Sequence, residues 1–286
     1  MDISSPKSIK IGISSCLLGE NVRFDSGHKK NAYITAVLKD YFEFVAFCPE
    51  VEIGLGIPRE PVRLVSIDGD IRCQGSKNHD LDVTDKLSDI ADKQRQWHSE
   101  LCGYILKKDS PSCGMERVKI YSKGAPNRKG IGLYAKKLMQ NFPNLPVEEE
   151  GRLEDAQLRE NFIQRVYTYS RWKIMRQQEL TLSSLQAFHA QHKYIFMSHN
   201  QTQARELGAI LATNNKVDLH NLADKYLESM MRTLKSIATK KNHVNTLQHL
   251  QGYLKNNLDT EDKAELNLII DDYRKGLLPL IVPITL

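Results

Sequence analysis

The sequence has no hydrophobic run long enough to cross a membrane. Its longest apolar stretch, residues 276–286, is interrupted by Pro279 and Pro283, whereas a membrane-spanning helix needs about 20 apolar residues. The first ten residues also lack the apolar core and the small-residue cleavage site of a secretory signal. We therefore expect a cytoplasmic protein.

Cysteine is scarce, and no two cysteines stand close together. The five lie at positions 16, 48, 73, 102 and 113, whereas zinc fingers, zinc ribbons and ferredoxins use closely spaced pairs such as Cys-x2-Cys. The spacing excludes those classes. An odd number of cysteines without an export signal also argues against structural disulfides. Metal binding or catalysis is the better explanation for them.

The hydrophobic pattern divides the chain into two parts. In residues 1–150 strand-like and helix-like segments alternate, which predicts an α/β domain with a Rossmann-like, mostly parallel sheet. Within it, residues 62–73 are expected to form a hairpin about Asp68-Gly69. After Glu148-Glu149-Glu150-Gly151 the apolar period becomes helical, so residues 151–286 are predicted to form an all-α domain.

Three of the cysteines follow short β-rich runs. Cys16 ends residues 9–16, Cys48 ends residues 43–48, and Cys113 lies in the loop after residues 103–106. If these strands are parallel neighbours, their carboxyl ends share one edge of the sheet and the three thiols meet there. For Cys73 and Cys102, which stand in no such loop, we prefer the alternative that a cysteine is simply a small buried hydrophobic residue.

Three thiolates could hold either zinc or a 4Fe-4S cluster with one iron left without a protein ligand. The glycines and small residues beside the cysteines, such as Gly19, Gly54 and Gly114, permit close backbone approach and N–H bonds to sulfide. This favours a cluster, although zinc would accept the same thiolates.

Several polar residues near the cysteines are candidates for chemistry. Glu50, in Cys48-Pro49-Glu50, could act as a general acid or base beside the metal, or it could cap a helix or turn. Ser110 and Ser112 could orient a substrate or relay a proton, or simply form a turn. Three arginines near the first two loops could receive an anionic or carbonyl group, or form surface ion pairs: Arg23, Arg59 and Arg63.

The helical part is basic. Residues 161–255 contain thirteen Lys or Arg against five Asp or Glu, a surplus of eight positive charges, together with six of the nine histidines. Aromatic residues are interleaved with them: Tyr167, Tyr169, Trp172, Tyr194 and Phe196. This composition suits a phosphate backbone. The alternative is a solvated helix face whose aromatic residues belong to the core.

Three sequence blocks resemble the signature motifs of a known family. They are Ile13-Ser14-Ser15-Cys16-Leu17-Leu18-Gly19 with Val22-Arg23-Phe24-Asp25, Cys48-Pro49-Glu50 with Gly54-Leu55-Gly56-Ile57-Pro58-Arg59, and Lys108-Asp109-Ser110-Pro111-Ser112-Cys113-Gly114. In this order they resemble the thiouracil desulfidase (TudS) family over residues 9 to about 150. The helical part resembles the domain of unknown function fused behind it in the tRNA 4-thiouridine desulfidases (RudS).

The resemblance implies a set of residue roles. It assigns the ligands of a 4Fe-4S cluster to Cys16, Cys48 and Cys113, and the catalytic carboxylate and serine to Glu50 and Ser110, with Ser112 as a substitute for the latter. The candidate substrate-binding residues are Ser14, Arg23, Arg59 and Ser112.

The implied reaction is the non-redox conversion of 4-thiouridine in tRNA to uridine with release of hydrogen sulfide. An open iron of the cluster would act as a Lewis acid for the sulfur, and the basic helical domain would bind tRNA or serve as an accessory module. Two alternatives stay open. One is a desulfidase for free thiolated bases or nucleosides, and the other is a non-enzymatic RNA-binding or metal-sensing protein.

Overall fold

The computed structural model describes residues 8–122, 124–212 and 218–286. The chain forms two compact units, Met1–Ser170 and Arg171–Leu286. The first contains both sheets and the second is helical, which confirms the predicted α/β domain followed by an all-α domain.

The first unit is built from short strands and helices in alternation. In chain order they are β1 (Ile9–Ser14), α1 (Ala32–Ala36), β2 (Phe42–Phe47), α2 (Pro49–Glu52), β3 (Val62–Ile67), β4 (Asp70–Gly75), α3 (Thr84–Lys93), α4 (Arg95–His98), β5 (Gly103–Leu106), β6 (Val118–Tyr121), β7 (Asn127–Gly130), α5 (Leu133–Asn141) and β8 (Val147–Glu149).

The main sheet has four strands in the order β2-β1-β5-β8, and all its pairs are parallel. Parallel sheets are covered on both faces, and β5 is buried along its whole length. Gly12 in β1 is required by this packing, because a Cβ there would lie 2.4 Å from the ring of Tyr104 on β5. The sequence prediction of a mostly parallel sheet is confirmed for this sheet.

A second, mixed sheet has the order β4-β3-β6-β7. Strands β3 and β4 form the predicted hairpin, and Asp68 and Gly69 at its turn both have positive φ. Strand β6 is parallel to β3 and antiparallel to β7. The sequence did not predict that these strands form a sheet of their own. Strand β6 is short and β7 is polar, so the residue pattern of neither strand indicates which strand it pairs with.

The long helix α6 (Ala156–Arg176) begins after the sheets and runs past the end of the first unit. Phe162 and Val166 on α6 are fully buried in one core with Ile11, Ile13 and Ile105 of the main sheet. The composition change at residues 148–151, where the sequence predicts the domain boundary, therefore marks the end of the sheet. The compact unit itself extends to Ser170.

The second unit is formed by helices joined through short connections. They are the end of α6, then α7 (Leu182–His199), α8 (Gln201–Leu211), α9 (Leu219–Lys235), α10 (Lys240–Leu254), α11 (Thr260–Lys275) and α12 (Ile281–Thr285). Trp172 stacks on Tyr226 with ring centroids 5.5 Å apart, at the centre of the α6, α7 and α9 packing. No helix in the described parts of the chain is long and apolar enough to span a bilayer.

Candidate active site

The three strand-end cysteines lie on three neighbouring strands. Cys16 belongs to a short 3-10 helix directly after β1, Cys48 directly follows β2, and Cys113 lies in the loop after β5. Because the sheet order is β2-β1-β5 with all strands parallel, these positions share one edge. All three cysteines line a single cavity of about 400 Å³. Cys73 and Cys102 are buried elsewhere and do not line it.

The thiols occupy an environment that disfavours three uncompensated negative charges. Burial raises the pKa of Cys16 to about 11, with a further contribution from Cys48. Burial also raises the pKa of Cys48, and it raises the pKa of Cys113 well above its usual range, again with a contribution from Cys48. A cationic group among the three sulfurs would offset both the burial and the mutual repulsion.

The donor set fits a soft metal. Thiolates are the ligands that zinc and iron–sulfur clusters prefer, and here they converge on one cavity from three different loops. Among the described residues, however, no three His, Cys, Asp or Glu side chains are grouped closely enough to hold a single metal ion.

Glu50 is fixed at the wall of this cavity by two side chains. Its Oε2 accepts hydrogen bonds from Arg59 Nε at 3.0 Å and Nη2 at 2.8 Å, and its Oε1 accepts one from Ser112 Oγ at 2.8 Å. The Glu50 side chain keeps 15% of its surface exposed, against 5% for Arg59. Its side chain does not cap α2, so the capping alternative is not what the structure shows.

The two serines of Ser110-Pro111-Ser112 occupy different positions. Ser110 lines the cavity, and its Oγ accepts hydrogen bonds from the backbone N–H groups of Ser112 at 3.2 Å and Cys113 at 3.0 Å. Ser112 is fully buried and lies behind Glu50. Ser110 is therefore the serine with access to the cavity, and Ser112 is the one that orients the carboxylate.

The remaining predicted residues are not equivalent. Ser14 lines the cavity, and its Oγ accepts a hydrogen bond from the backbone N–H of Lys107 at 3.0 Å. The Ser14 side chain is also hydrogen-bonded to the thiol of Cys113, and this contact opposes the increase in the pKa of Cys113. Arg23 also lines the cavity, where its guanidinium lies 3.5 Å from the carboxylate of Asp25.

Arg59 and Arg63 do not present free guanidinium groups to the active-site cavity. The guanidinium of Arg59 is occupied by Glu50 and by the carbonyl oxygen of Gly56 at 2.9 Å, so it supports the carboxylate directly. Arg63 does not line this cavity and contributes to a neighbouring cleft.

Sequence reasoning missed Lys107 and the glutamates behind it. Lys107 lines the cavity, and its ammonium opposes the increase in the pKa of Cys16. Its Nζ pairs with Glu150, whose other oxygen accepts a hydrogen bond from the backbone N–H of Lys108 at 2.7 Å. Glu149 accepts one from the backbone N–H of Met115 at 2.7 Å. The run Glu148-Glu149-Glu150 is the only local signal for these contacts, and its composition indicates no more than a change of segment.

The basic helical part has fewer exposed aromatic residues than its sequence suggests. Trp172 and Phe196 are buried in the core of the second unit, as the alternative interpretation expected. Tyr167 and Tyr169 pack against the core of the first unit. Tyr194 is half-buried, and Lys193 lies 4.9 Å from its ring centroid. One basic residue of the surplus, Lys216, lies outside the described residues.

Two protein families match separate parts of the chain. Residues 11–150 match the family described as 2-thiouracil desulfurase. Residues 193–286 match a family described as a protein of unknown function, DUF1722. The two matches fall in the two parts that the sequence pattern distinguishes.

Individual relatives cover the chain in part. The uncharacterized protein YbgA of Escherichia coli K12 is 31% identical over 126 residues, which is 42% of this chain and 72% of the relative. The uncharacterized protein YbbK of Bacillus subtilis 168 is 32% identical over 108 residues, or 36% of this chain and 71% of the relative. A solved structure described as the 4Fe-4S-dependent thiouracil desulfidase TudS is 29% identical, with a TM-score of 0.40, and covers 51% of this chain and 93% of its own.

Proposed function

The chain belongs to the 2-thiouracil desulfurase family through residues 11–150, and from this premise we propose that it removes sulfur from 4-thiouridine in tRNA. The proposed products are uridine and hydrogen sulfide. The reaction exchanges the thiocarbonyl sulfur for the oxygen of water, and the two protons of water leave with the sulfur, so no oxidant or reductant is consumed.

The observation that carries this proposal is the convergence of three thiols and one carboxylate on a single cavity. Cys16, Cys48, Cys113 and Glu50 come from the segments that follow β1, β2 and β5, and they line the same space. A thiol cluster alone would suit a structural metal site, which is closed by its ligands. An adjacent carboxylate and room for a small molecule are features of a catalytic site.

The proposed cofactor is a 4Fe-4S cluster held by Cys16, Cys48 and Cys113. Such a cluster with one iron lacking a protein ligand would supply a soft Lewis acid for the sulfur of a thiolated base. Zinc is the less favoured alternative, because the glycines near the cysteines, such as Gly19, Gly54 and Gly114, permit N–H bonds to the sulfides of a cluster.

The chain's own residues would supply binding and proton transfer. Glu50, oriented by Arg59 and Ser112, would act as the general base toward water or the general acid toward the ring. Ser110 would relay a proton from the cavity wall. Arg23 and Lys107 bring positive charge to the same space, which favours an anionic or electron-rich group such as a thiolated pyrimidine.

The preference for tRNA over a free base rests on the charge of the helical part. Its surplus of eight positive charges in residues 161–255 suits contacts to phosphates that do not depend on base sequence. Trp172 and Phe196 are buried, so these two aromatic residues do not support RNA binding. The proposed tRNA contact therefore rests on charge.

The proposal is tested on protein purified without oxygen. We expect about four irons per chain, visible charge-transfer absorption, and loss of sulfur from 4-thiouridine in tRNA faster than from the free nucleoside. A colourless protein with one tightly bound zinc would contradict the cluster. Equal rates on tRNA and the nucleoside would favour the alternative of a free-base or nucleoside desulfidase.

The role of the Glu50 carboxylate is tested with a variant and a matched control on the same helix. Glu50→Gln should lower kcat by about 100-fold or more, because general acid–base catalysis contributes about 10²–10⁴-fold, while the iron content stays unchanged. Exposed Glu52 on the same helix offers the control, and Glu52→Gln should be as active as the wild type. Unchanged kcat in Glu50→Gln would show that Glu50 is not the acid or base, and a wild type without desulfidase activity would favour a binding or sensing protein instead.

A further inference from the structure

A second cleft of about 320 Å³ adjoins the active-site cavity. Val62, Asp109 and Pro111 line both. Asp109 and Pro111 flank Ser110 in the loop that carries Cys113. Only this stretch of the loop therefore separates a molecule in the active-site cavity from a molecule in the second cleft.

The cleft lies on the second sheet and carries basic side chains from three neighbouring strands. Arg63 is on β3, Lys119 on β6 and Arg128 on β7, and the strand order is β3-β6-β7. Leu64 pairs with Ile120 in the parallel ladder, so Arg63 and Lys119 are also opposite each other. Since side chains alternate between the two faces of a sheet, they emerge on the same face.

The charge in this cleft is largely uncompensated. Three cationic side chains line it against the one carboxylate of Asp109, which lies 3.4 Å from Arg128. The Arg63 guanidinium lies 5.0 Å from the ring centroid of Tyr121. Its Nε is buried and has no hydrogen-bond partner within the part of the chain that the structure describes. A buried cationic donor without an acceptor is costly unless a ligand supplies one.

We propose that this cleft binds a phosphate group of a nucleotide whose base occupies the active-site cavity. Arginine is suited to phosphate, because its planar donors match the phosphate oxygens. The shared wall of Asp109 and Pro111 places the two subsites side by side, as a base and the phosphate of its own or the next nucleotide require. This inference rests on the proposed function, because it takes the neighbouring cavity as the site for a base.

The test measures binding of unthiolated ligands to the full chain, so it does not depend on turnover. The ligands are uridine, uridine 5′-monophosphate and a fluorescein-labelled oligouridylate. The wild type should bind at least one phosphate-containing ligand about tenfold or more tightly than uridine. Arg63→Gln should weaken binding of that ligand about tenfold, and Lys119→Gln about threefold or more, because each variant removes a charged hydrogen-bond donor to the phosphate.

A matched control keeps the charge change but moves it away from the cleft. Exposed Lys39 and Lys86 lie in the same unit and do not line the cleft, so Lys39→Gln and Lys86→Gln should bind like the wild type. Lys119 is exposed, so Lys119→Gln provides a decisive measurement even if Arg63→Gln proves unstable.

The outcomes separate the sources of the phosphate. Weakened binding of the monophosphate indicates that the phosphate of one nucleotide suffices, and weakening of the oligonucleotide alone indicates an RNA backbone phosphate. Unchanged binding of both ligands in the Arg63 and Lys119 variants would overturn the proposal. A protein that lacks desulfidase activity but binds the monophosphate through Arg63 would contradict only the proposed function.

Discussion

At the scale of single residues, the side chains around Glu50 separate orientation from access. Ser112 donates to Oε1 of Glu50 from a fully buried position, whereas Ser110 reaches the cavity. The carboxylate thus has defined partners on both oxygens and an open side toward the cavity. This arrangement is typical of catalytic groups that are held by a supporting layer of hydrogen bonds.

The two serines should give different kinetic effects when replaced. Ser112→Ala leaves one oxygen of Glu50 without its donor, so we expect kcat to fall about tenfold with little change in KM. Ser110→Ala should lower kcat further, by about 100-fold, because it removes the proposed proton relay. Steady-state kinetics on 4-thiouridine checks both values.

Ser110 also has a structural contribution that must be separated from catalysis. Its Oγ accepts two backbone N–H groups, so Ser110→Ala should also lower the free energy of unfolding by about 1–2 kcal/mol. Ser110→Thr keeps the hydroxyl and should recover much of kcat. Wild-type kcat in Ser110→Ala would contradict the relay.

His98 gives the first unit a pH-dependent stability. Its ring is 1% exposed and is hydrogen-bonded to the hydroxyl of Tyr134 at 2.7 Å. Burial lowers the pKa of His98 from 6.5 to about 4. The folded state therefore binds this proton less readily than the unfolded state does, so stability is complete above pH 6.5 and is lost as pH falls from 6.5 toward 4.

We expect the loss from His98 to reach about 2 kcal/mol between pH 7.5 and pH 5. His98→Gln removes the titrating group and should show a correspondingly smaller loss. Denaturant unfolding of the wild type and the variant at both pH values measures the difference. His79→Gln, at an exposed histidine, is the control. Equal pH dependence in His98→Gln and the wild type would show that His98 is not the group responsible.

At the scale of elements, the loop that carries Cys113 is fixed at both ends and in the middle. Glu150 binds the backbone of Lys108 before the loop, and Glu149 binds the backbone of Met115 after it. In the middle, the carbonyl oxygens of Pro111 and Ser112 accept hydrogen bonds from the first turn of α5. The free backbone N–H groups at the start of α5 thus find their acceptors in the loop, and these hydrogen bonds hold Cys113 in place.

Gly132 makes this contact possible, because a Cβ there would lie 2.5 Å from the carbonyl carbon and oxygen of Ser112. Gly132→Ala should lower the free energy of unfolding by about 1–3 kcal/mol and reduce the iron content by displacing Cys113. A Cβ on Gly124 would meet no described atom within 4 Å, so Gly124→Ala is the control. Thermal unfolding and iron analysis of both variants check this. Wild-type iron content in Gly132→Ala would show that the loop tolerates displacement.

The strand ends were predictable from sequence, whereas the supports of the loop were not. Cys16 and Cys48 follow strands whose β-rich pattern is local, so their placement at one edge follows from parallel pairing. Glu149 and Glu150 act on residues more than thirty positions away. Nothing in the local pattern indicates such partners, and three adjacent glutamates suggest a solvated segment when they are in fact buried.

At the scale of the whole molecule, the sequence change and the end of the compact unit do not coincide. The sheet ends at Glu149, but α6 continues the core of the first unit with Phe162 and Val166. A change from strand to helix pattern identifies secondary structure and does not identify the packing partner of the first helix. For the same reason the periodicity of Trp172 and Phe196 could not decide between a core and an RNA-contacting surface.

The charge distribution predicts different salt responses for large and small substrates. The basic surplus in residues 161–255 would release counterions from tRNA, and a nucleoside carries no phosphate. If about three phosphates are neutralised, KM for thiolated tRNA should rise roughly 20- to 40-fold between 50 and 200 mM salt, while KM for 4-thiouridine stays within about twofold. Steady-state kinetics at both salt concentrations measures this. Parallel salt dependence for the two substrates would instead assign the helical part a role other than tRNA binding, because counterion release requires phosphate contacts.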